Sequence, residues 1–471
     1  MRDVVAVVMA AGAGTRMKSG RAKVLHPVLG RPMVAHVLDL CQRLQVKRTL
    51  VVVGYQAEAV REACAGASVE FVLQAEQRGT AHAVLQAAEA LKGFDGTVLV
   101  LSGDVPLLKE ETVRALLTHH ERKRAAATML TATLPDPTGY GRVIRKGGGQ
   151  VLRVVEEVEA APRERKVKEI NAGLYAFAAP ALLKALTEVR TSRVKGELYL
   201  PEVLAALRRR RQKVEALRAA ESAEVLGINT RAELAAAGAV LRQRVLDRLM
   251  RDGVTVLDPP STYVDSTVSI GRDTVLYPNV TLEGQTAIGE GCVIYPGSRL
   301  RDTRLGNGVT ILDGCVLTES EIADGCTLGP YAHLRPGSRL KKKAKVGNFC
   351  EVKKSVIGEG SKVPHLTYIG DTVMGDRVNI GAGTITCNYD GYAKHQTVIE
   401  DEAFVGTNVN LVAPVKVGKG SVIAAGSTVV EEVPPDALAI ERGQQVNKDG
   451  WAAARRAKMA AARKAKQEQE E

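Results

Sequence analysis

A chain of 471 residues is long enough for two or more domains with sizeable cores. Its net charge is +12, yet aromatic residues make up only 4% of it, too few for the base-stacking surfaces of single-strand nucleic-acid binders, so no nucleic-acid partner is expected. The basic excess suits acidic small substrates; part of it lies in two local runs, 208–211 and the tail after Trp451, which read as solvated helix faces. No apolar run is long enough to span a bilayer, and seven cysteines without a C-x-x-C pair suit a reducing cytoplasm.

Residues 4–11 are apolar and follow Arg2, as in the core of a signal peptide. The run is short, Asp3 opposes the charge and a Gly-rich loop follows, so it reads as a first buried strand. Strands are predicted over 4–9, 50–53, 70–73 and 97–101, and helices over 32–44, 57–65 and 80–92. This alternation, continuing to about Gly227, predicts a layered α/β domain with parallel strands. The loop Gly12-Ala13-Gly14-Thr15-Arg16-Met17 lacks the third Gly of a dinucleotide fingerprint. No acidic residue closes the second strand, and no Gly-Lys-Ser/Thr ends the loop. Its glycines let backbone N–H groups approach phosphate oxygens, and Arg16 and Lys23 bring two cations. It reads either as a nucleotide phosphate site or as an ordinary strand–helix turn. Asp104 follows the strand at its carboxyl end, where open α/β sheets place ligands; it suits Mg²⁺ or caps a turn.

Residues 231–251 are rich in Ala, Leu, Arg and Glu, and Gly253 is placed to end them, so one long helix is predicted as a stiff arm between domains. From 268 to 430 a six-residue rhythm runs, as in Ile270-Gly271-Arg272-Asp273-Thr274-Val275, Ile288-Gly289-Glu290-Gly291-Cys292-Val293 and Val417-Gly418-Lys419-Gly420-Ser421-Val422. An aliphatic residue opens each hexad, a small one usually follows, and another sits near the fifth place. Such a period means stacked coils of parallel β-helix with the aliphatics inward, about nine coils at three hexads each. Cys292, Cys315, Cys326 and Cys350 fall at small-residue places and read as core fillers. Residues 386–396 break the rhythm, as a loop carrying binding residues does.

Met9-Ala10-Ala11-Gly12-Ala13-Gly14-Thr15-Arg16-Met17 followed by Lys23-Val24-Leu25 resembles the signature loop of sugar-phosphate nucleotidylyltransferases. Gln74-Ala75-Glu76-Gln77, Gly79-Thr80-Ala81-His82-Ala83, Gly103-Asp104-Val105-Pro106-Leu107 and Gly139-Tyr140-Gly141-Arg142 extend the likeness. Arg335-Pro336-Gly337, Gly347-Asn348-Phe349, 365–371 and 379–391 carry it through the repeats. Together these motifs resemble the family of bacterial bifunctional enzymes that join N-acetylglucosamine-1-phosphate uridylyltransferase to glucosamine-1-phosphate N-acetyltransferase. The resemblance implies an α/β nucleotidylyltransferase (Rossmann-like) domain followed by a left-handed parallel β-helix of hexapeptide repeats. It assigns 1–229 to uridylyl transfer, 230–252 to a linker helix, 253–446 to acetyl transfer and 447–471 to a tail that helps close the acetyl site. It also implies a homotrimer with sites between subunits, and a product that feeds peptidoglycan synthesis.

In this resemblance Met9, Ala10, Ala11, Gly12, Gln74, Gly79 and Thr80 bind UTP, and Arg16 and Lys23 neutralise the departing pyrophosphate. Asp104 and Asn229 hold Mg²⁺, and Gly141, Glu156, Asn171 and Asn229 contact the sugar. In the repeats His365 is the general base for the glucosamine amine, a task suited to imidazole; a lone His would read as a hydrogen-bonded corner residue. Arg335, Lys353, Tyr368 and Asn379 bind the sugar phosphate, while Ala382, Asn388, Tyr389, Thr407, Ala425 and Arg442 meet acetyl-coenzyme A. Three positions depart from the family pattern. Ala22 replaces a Pro before the loop lysine, which predicts a less rigid Lys23; Ser102 replaces a Tyr; Thr407 replaces a Ser. An ADP-glucose or GDP-mannose synthase would lack the His365 motif and the Asn388-Tyr389 loop. A non-catalytic subunit of this architecture would have lost Lys23 or Asp104. A β-helical carbonic anhydrase needs three His at one metal, where the repeat proper has only His333 and His365. The tail from Lys448 is expected as a helix on a neighbour or a frayed end, with its last Glu and Gln residues disordered.

Overall fold

The computed structural model describes residues 3–470 except 148, 193 and 195, with side chains through 465. The chain forms two compact units: residues 1–252 with 263–268 and 282–284, and the remainder.

In the first unit, β1 (Val4–Ala10) pairs in parallel with β2 (Arg48–Val53) and β4 (Thr97–Ser102), and β3 (Glu70–Leu73) pairs in parallel with β2. These strands are β-branched and buried on both faces. Alternate side chains divide between two cores. Ala6, Val8, Val51, Val53, Leu99 and Leu101 face α1 (Met33–Arg43) and α4 (Glu110–Lys123), while Val5, Val7, Leu50, Val52, Val98 and Val100 face the core of α3 (Thr80–Gln86). Helix α2 (Ala57–Ala63) follows β2. The predicted strands and helices stand within a few residues of expectation, except that α3 ends at Gln86 rather than 92.

The alternation did not reveal the far half of the sheet. There β5 (Ala127–Thr133), β8 (Glu169–Ala178) and β9 (Val214–Arg218) extend the order to β9-β5-β8-β4-β1-β2-β3. Strand β8 runs antiparallel to both neighbours, because a hairpin of β6 (Arg142–Arg145) and β7 (Val151–Val155), rather than a crossover helix, leads into it.

Helix α5 (Arg231–Arg251) spans the predicted range. It is not a free arm, because Ala237 shares a core with Val28, Met33, Leu107 and Ile228, and Arg244 Nη1 donates to the Leu107 carbonyl at 2.6 Å. Thr230 caps it: Thr230 Oγ1 accepts from the Glu233 amide, and Glu233 Oε2 accepts from the amides of Thr230 and Asn229.

The second unit is a parallel β-helix whose strands, two to four residues each, form three parallel sheets of 11, 10 and 9 strands among the described residues. The stack is taller than the roughly nine coils expected from the period, because strands such as Thr255–Val256 and Leu438–Ala439 lie outside the hexad rhythm. Opening aliphatics such as Leu300, Leu317, Leu334, Val352 and Ile369 are fully buried in one ladder. The fifth-place residue also points inward: Thr274, Cys292, Ser298, Cys315, Cys326, Ser338 and Cys350 are all buried. At each of these but Cys315 the hydroxyl or thiol is satisfied by a carbonyl one coil on, as when Ser338 Oγ donates to Val352 O at 3.0 Å and Cys326 Sγ to Lys341 O at 3.0 Å. Small size and a short polar tip are therefore both used there, and all seven cysteines are free.

The break begins later than 386, because Ile385–Cys387 still pairs with Asn410–Val412. The ejected loop is 388–396. It is closed by a Tyr389–Lys394 bridge, by Asp390 Oδ1 accepting from the amides of Tyr392 and Ala393, and by His395 Nε2 at 2.6 Å from Asp390 Oδ2. Helix α6 (Trp451–Glu470) ends the chain. Ala, Arg, Lys, Gln and Glu favour the helix; Glu471, on which the expectation of disorder also falls, lies outside the described residues. Among the described residues no helix is long and apolar enough to cross a membrane.

Candidate active sites

In the first unit the carboxyl ends of β1, β2, β3 and β4 bring together Ala11–Gly14, Gly54, Gln74 and Asp104. The Met9 carbonyl accepts from the Gly103 amide at 2.9 Å, and the Ala11 carbonyl from the Tyr55 amide at 3.0 Å, which fixes 9–12 between the two neighbouring strands. Gly14 has φ 68°, and a Cβ on it would stand 2.4 Å from Lys23 Cβ. The glycine thus lets the Lys23 side chain lie directly on the loop.

Lys23 Nζ donates to Asp104 Oδ2 and, at 3.0 Å, to Asn229 Oδ1; Arg16 Nη2 donates to the same Asn229 oxygen at 2.9 Å. Burial opposes ionisation of Asp104, but Lys23 and then the Ser102 hydroxyl, which donates to Oδ1 at 2.6 Å, hold its carboxyl below the usual range. Ser102 therefore substitutes a carboxylate contact for a ring contact. The Ile228 amide donates to the Asp104 carbonyl at 3.0 Å, tying the Asn229 segment to β4. One ammonium already bridges the Asp104 and Asn229 oxygens, so these hard donors converge on a single cation position. Among the described residues no cluster of three His, Cys, Asp or Glu could hold a metal. An ion here would take Asp104 and Asn229 and complete its shell with phosphate and water, which suits Mg²⁺.

Ala22 does not leave Lys23 loose. Its amide donates to Gln56 Oε1 at 2.7 Å, and Gln56 Nε2 donates to the Gly20 carbonyl at 2.7 Å. This clamp replaces the expected ring. Gln56→Ala should cut kcat/KM for the nucleotide reaction about tenfold, the size expected for losing one or two such bonds. Ala22 has φ −53°, within proline's range, so adding Ala22→Pro should recover most of that loss. Steady-state kinetics of both variants check this.

The Gln74 side chain, 3% exposed, donates from Nε2 to the Gly79 carbonyl at 3.2 Å. Gly79 has φ 102°, and a Cβ there would stand 2.6 Å from the Leu198 carbonyl oxygen, so only glycine fits. Thr80 Oγ1 accepts from the Leu200 amide at 2.9 Å. The Gly141 carbonyl accepts from the Asn171 amide at 2.9 Å, and a Cβ on Gly141 would lie 3.2 Å from Glu156 Oε1. Asn171 exchanges hydrogen bonds with the Tyr175 hydroxyl. Burial first, then Glu233 and Asp104, push the Tyr140 phenol up to about 12.

In the second unit, backbone hydrogen bonds between successive coils stack Asn348, Leu366, Ala382 and Gly383, Thr407 and Asn408, and Gly426 at one corner. His365, Ala382, Thr407 and Ala425 therefore share one edge, and Arg442 Nη1 joins it through the Ala425 carbonyl at 3.0 Å. His365 is exposed, and its Nδ1 lies 2.6 Å from Asn348 Oδ1. An amide oxygen only accepts, so Nδ1 carries a hydrogen, and in the neutral ring Nε2 is the nitrogen with the lone pair.

At the next corner Arg335 and Lys353 stand on adjacent coils, and Arg335 Nη1 donates to Glu351 Oε1 at 2.9 Å. Lys394, in the ejected loop, lies against Lys353 and pulls its ammonium below the usual range, with burial and Arg335 adding and Asp371 opposing. Cations set side by side suit a dianion. Asn388 Nδ2 donates to Asp371 Oδ2 at 2.5 Å and lies 3.4 Å from the Tyr368 hydroxyl. Tyr389 is exposed, and Asn379 opens the strand that runs into Ala382. Asn348, Lys394 and Gln56 were assigned no role from the sequence; Asn348 stood in the Gly347-Asn348-Phe349 motif and Lys394 in the 386–396 break, whereas nothing local marked Gln56.

Residues 6–227 match the MobA-like NTP transferase domain, and residues 267–302 match the six-repeat bacterial transferase hexapeptide family. The chain is 50% identical over 452 residues to the bifunctional protein GlmU of Brevibacillus brevis, covering 96% of this chain and 98% of that one. It is 49% identical to that of a Geobacillus species over 95% of this chain and 97% of the relative. To that of Geotalea uraniireducens it is 47% identical, over 96% of this chain and 99% of the relative. An α/β nucleotidyltransferase domain joined to a hexapeptide β-helix, with relatives 47–50% identical over 95–96% of its length, makes the chain a member of the bifunctional GlmU family.

Proposed function

We propose that the chain catalyses two steps of UDP-N-acetylglucosamine synthesis for peptidoglycan: acetylation of glucosamine-1-phosphate by acetyl-coenzyme A, then uridylyl transfer from UTP to the acetylated sugar phosphate. What supports this reading is two separate side-chain clusters in one chain: Lys23, Arg16, Asp104 and Asn229 in the first unit, and, on successive coils of the second, His365 with Asn348 and the cations Arg335, Lys353 and Lys394.

In the first step His365 Nε2, held in its basic tautomer by Asn348, takes the proton from the glucosamine ammonium; the freed amine attacks the thioester carbonyl, the C–S bond breaks, and coenzyme A leaves as the thiol with the proton the nitrogen loses on becoming an amide. Arg335, Lys353 and Lys394 hold the sugar phosphate, with Tyr368 and Asn379 as further sugar contacts. Asn388 and Tyr389, with the edge of Ala382, Thr407, Ala425 and Arg442, take acetyl-coenzyme A. In the second step the sugar phosphate attacks the α-phosphorus of UTP and pyrophosphate leaves. Met9, Ala10, Ala11 and Gly12 present backbone to UTP, Gln74, Gly79 and Thr80 meet the base, and Gly141, Glu156, Asn171 and Asn229 take the sugar. Lys23 and Arg16 turn from Asp104 and Asn229 to the phosphates, neutralising charge on the leaving group. Asp104 and Asn229 would hold Mg²⁺, which would supply further neutralisation of phosphate charge. Chelation with EDTA should therefore stop UDP-sugar formation and spare acetyl transfer, read as pyrophosphate and free coenzyme A from one preparation. Loss of both together would count against a metal confined to the first site.

The acetyl site is completed in a homotrimer of left-handed coils. On the edge that bears His365, Tyr331, Phe349 and Leu366 are 55%, 57% and 64% exposed, and all three have positive φ. Bulky residues in that conformation cost about 1 kcal/mol or more each, and exposed apolar ladders mark interfaces. A second copy of this chain fits that edge and would cover His365, with the Trp451 helix reaching a neighbour. Seven free thiols suit the cytoplasm.

A further inference from the structure

The Gln74 amide is held from behind. Its Nε2 lies 3.2 Å from the Gly79 carbonyl and 3.1 Å from His82 Nδ1, on the first turn of α3. Carbonyl oxygens only accept, so the end facing Gly79 is the NH₂ group. Its second hydrogen then goes to His82 Nδ1, and neutral His82 carries its own hydrogen on Nε2. The Gln86 amide lies 3.1 Å from His82 Nε2, with its nitrogen 3.2 Å from the His82 carbonyl. A neutral ring accepts at only one nitrogen, so one of the two amides must turn; turning the buried Gln74 would set its oxygen against the Gly79 carbonyl away from solvent, whereas the half-buried Gln86 can give up its bond to the His82 carbonyl and accept from Nε2–H. With both Gln74 hydrogens engaged, its carbonyl oxygen is the one group left for a ligand.

We propose that His82 is a positioning residue for base selection, fixing Gln74 so that it offers the nucleotide an acceptor and no donor. This rests on the reading that Gln74 faces the base of UTP. Uracil has N3–H, a donor to that oxygen. Cytosine has an N3 lone pair, which the same oxygen repels. A site built to accept a hydrogen bond rejects the analogue lacking it, because the buried group is left unpaired. Without His82 only the Gly79 carbonyl restrains the amide, and the turned amide would donate to cytosine N3.

The test compares kcat/KM for UTP and CTP, with N-acetylglucosamine-1-phosphate as acceptor, in the wild type, His82→Ala and His82→Asn. Asparagine can place an acceptor oxygen near the position of Nδ1. The expected result is that His82→Ala lowers the UTP-to-CTP preference about tenfold, through a higher KM for UTP, and that His82→Asn restores most of it. An unchanged preference in His82→Ala, or an Asn variant as unselective as the Ala variant, would overturn the proposal. The ¹⁵N spectrum of histidine-labelled wild type, with the His82 signal assigned by its loss in His82→Asn, tests the lock without turnover. Nε2–H supports it, and Nδ1–H overturns it. A wild type with the Nε2–H tautomer but no uridylyl transfer would instead defeat the reading of the site.

Discussion

Asp104→Ala is expected to lower UDP-sugar formation about a thousandfold, while acetyl transfer by the same protein stays near wild type. A loss of that size is about 4 kcal/mol of barrier. Three causes act together. The carboxylate is the only acidic side chain among the oxygens that converge on the cation position, so an ion there loses its one anionic ligand. Lys23 loses its partner and is no longer aimed across the loop. Ser102 is left with a hydroxyl directed at the deleted oxygen. Asp104→Asn keeps the shape but not the charge, and should lie nearly as low if charge governs the step. Separate assays of pyrophosphate and coenzyme A release, with thermal unfolding to confirm an intact fold, check both variants.

His365→Ala is expected to do the reverse, cutting acetyl transfer by about 10²–10⁴ and leaving uridylyl transfer near wild type. His365 is exposed at a corner and fills no core, so its removal should cost little stability. The loss should shrink at higher pH, where more of the glucosamine amine is already neutral and needs no base. Asn348→Ala should give a smaller loss, because it frees the tautomer without removing the base. A pH–rate series on the acetyl half-reaction separates these outcomes. Loss of both activities from either the Asp104 or the His365 change, with folding intact, would sink the two-site account.

The parts legible in the sequence are those set by short-range rules. Burial on both faces makes β1, β2 and β4 runs of Val, Leu and Ala, and the hexad places Leu317 over Leu300 whatever else the coil does. The end of β4 marked Asp104, since a chain leaving a parallel sheet there must pass the ligand side. Contacts across the chain were not legible. Gln56 lies 34 residues from Ala22, and its clamp could not be seen from the missing proline. Asn348 lies 17 residues from His365, one coil away; the period implies that the two stand close but not that the amide faces the ring. Strand β8 was hidden because its direction depends on which connection leads into it, and residue type does not decide that. The αL corners filled by Tyr331, Phe349 and Leu366 break the small-residue rule of Gly297 and Gly314 at the same edge. Their meaning emerges only when the corner is found exposed beside His365.

The most direct measurement supplies purified protein with glucosamine-1-phosphate, acetyl-coenzyme A, UTP and Mg²⁺ in one vessel and follows products by mass spectrometry. The account predicts N-acetylglucosamine-1-phosphate first and UDP-N-acetylglucosamine after it, with coenzyme A and pyrophosphate released in step. Formation of a nucleotide sugar without any acetylation, or a preference for ATP or GTP over UTP, would contradict it.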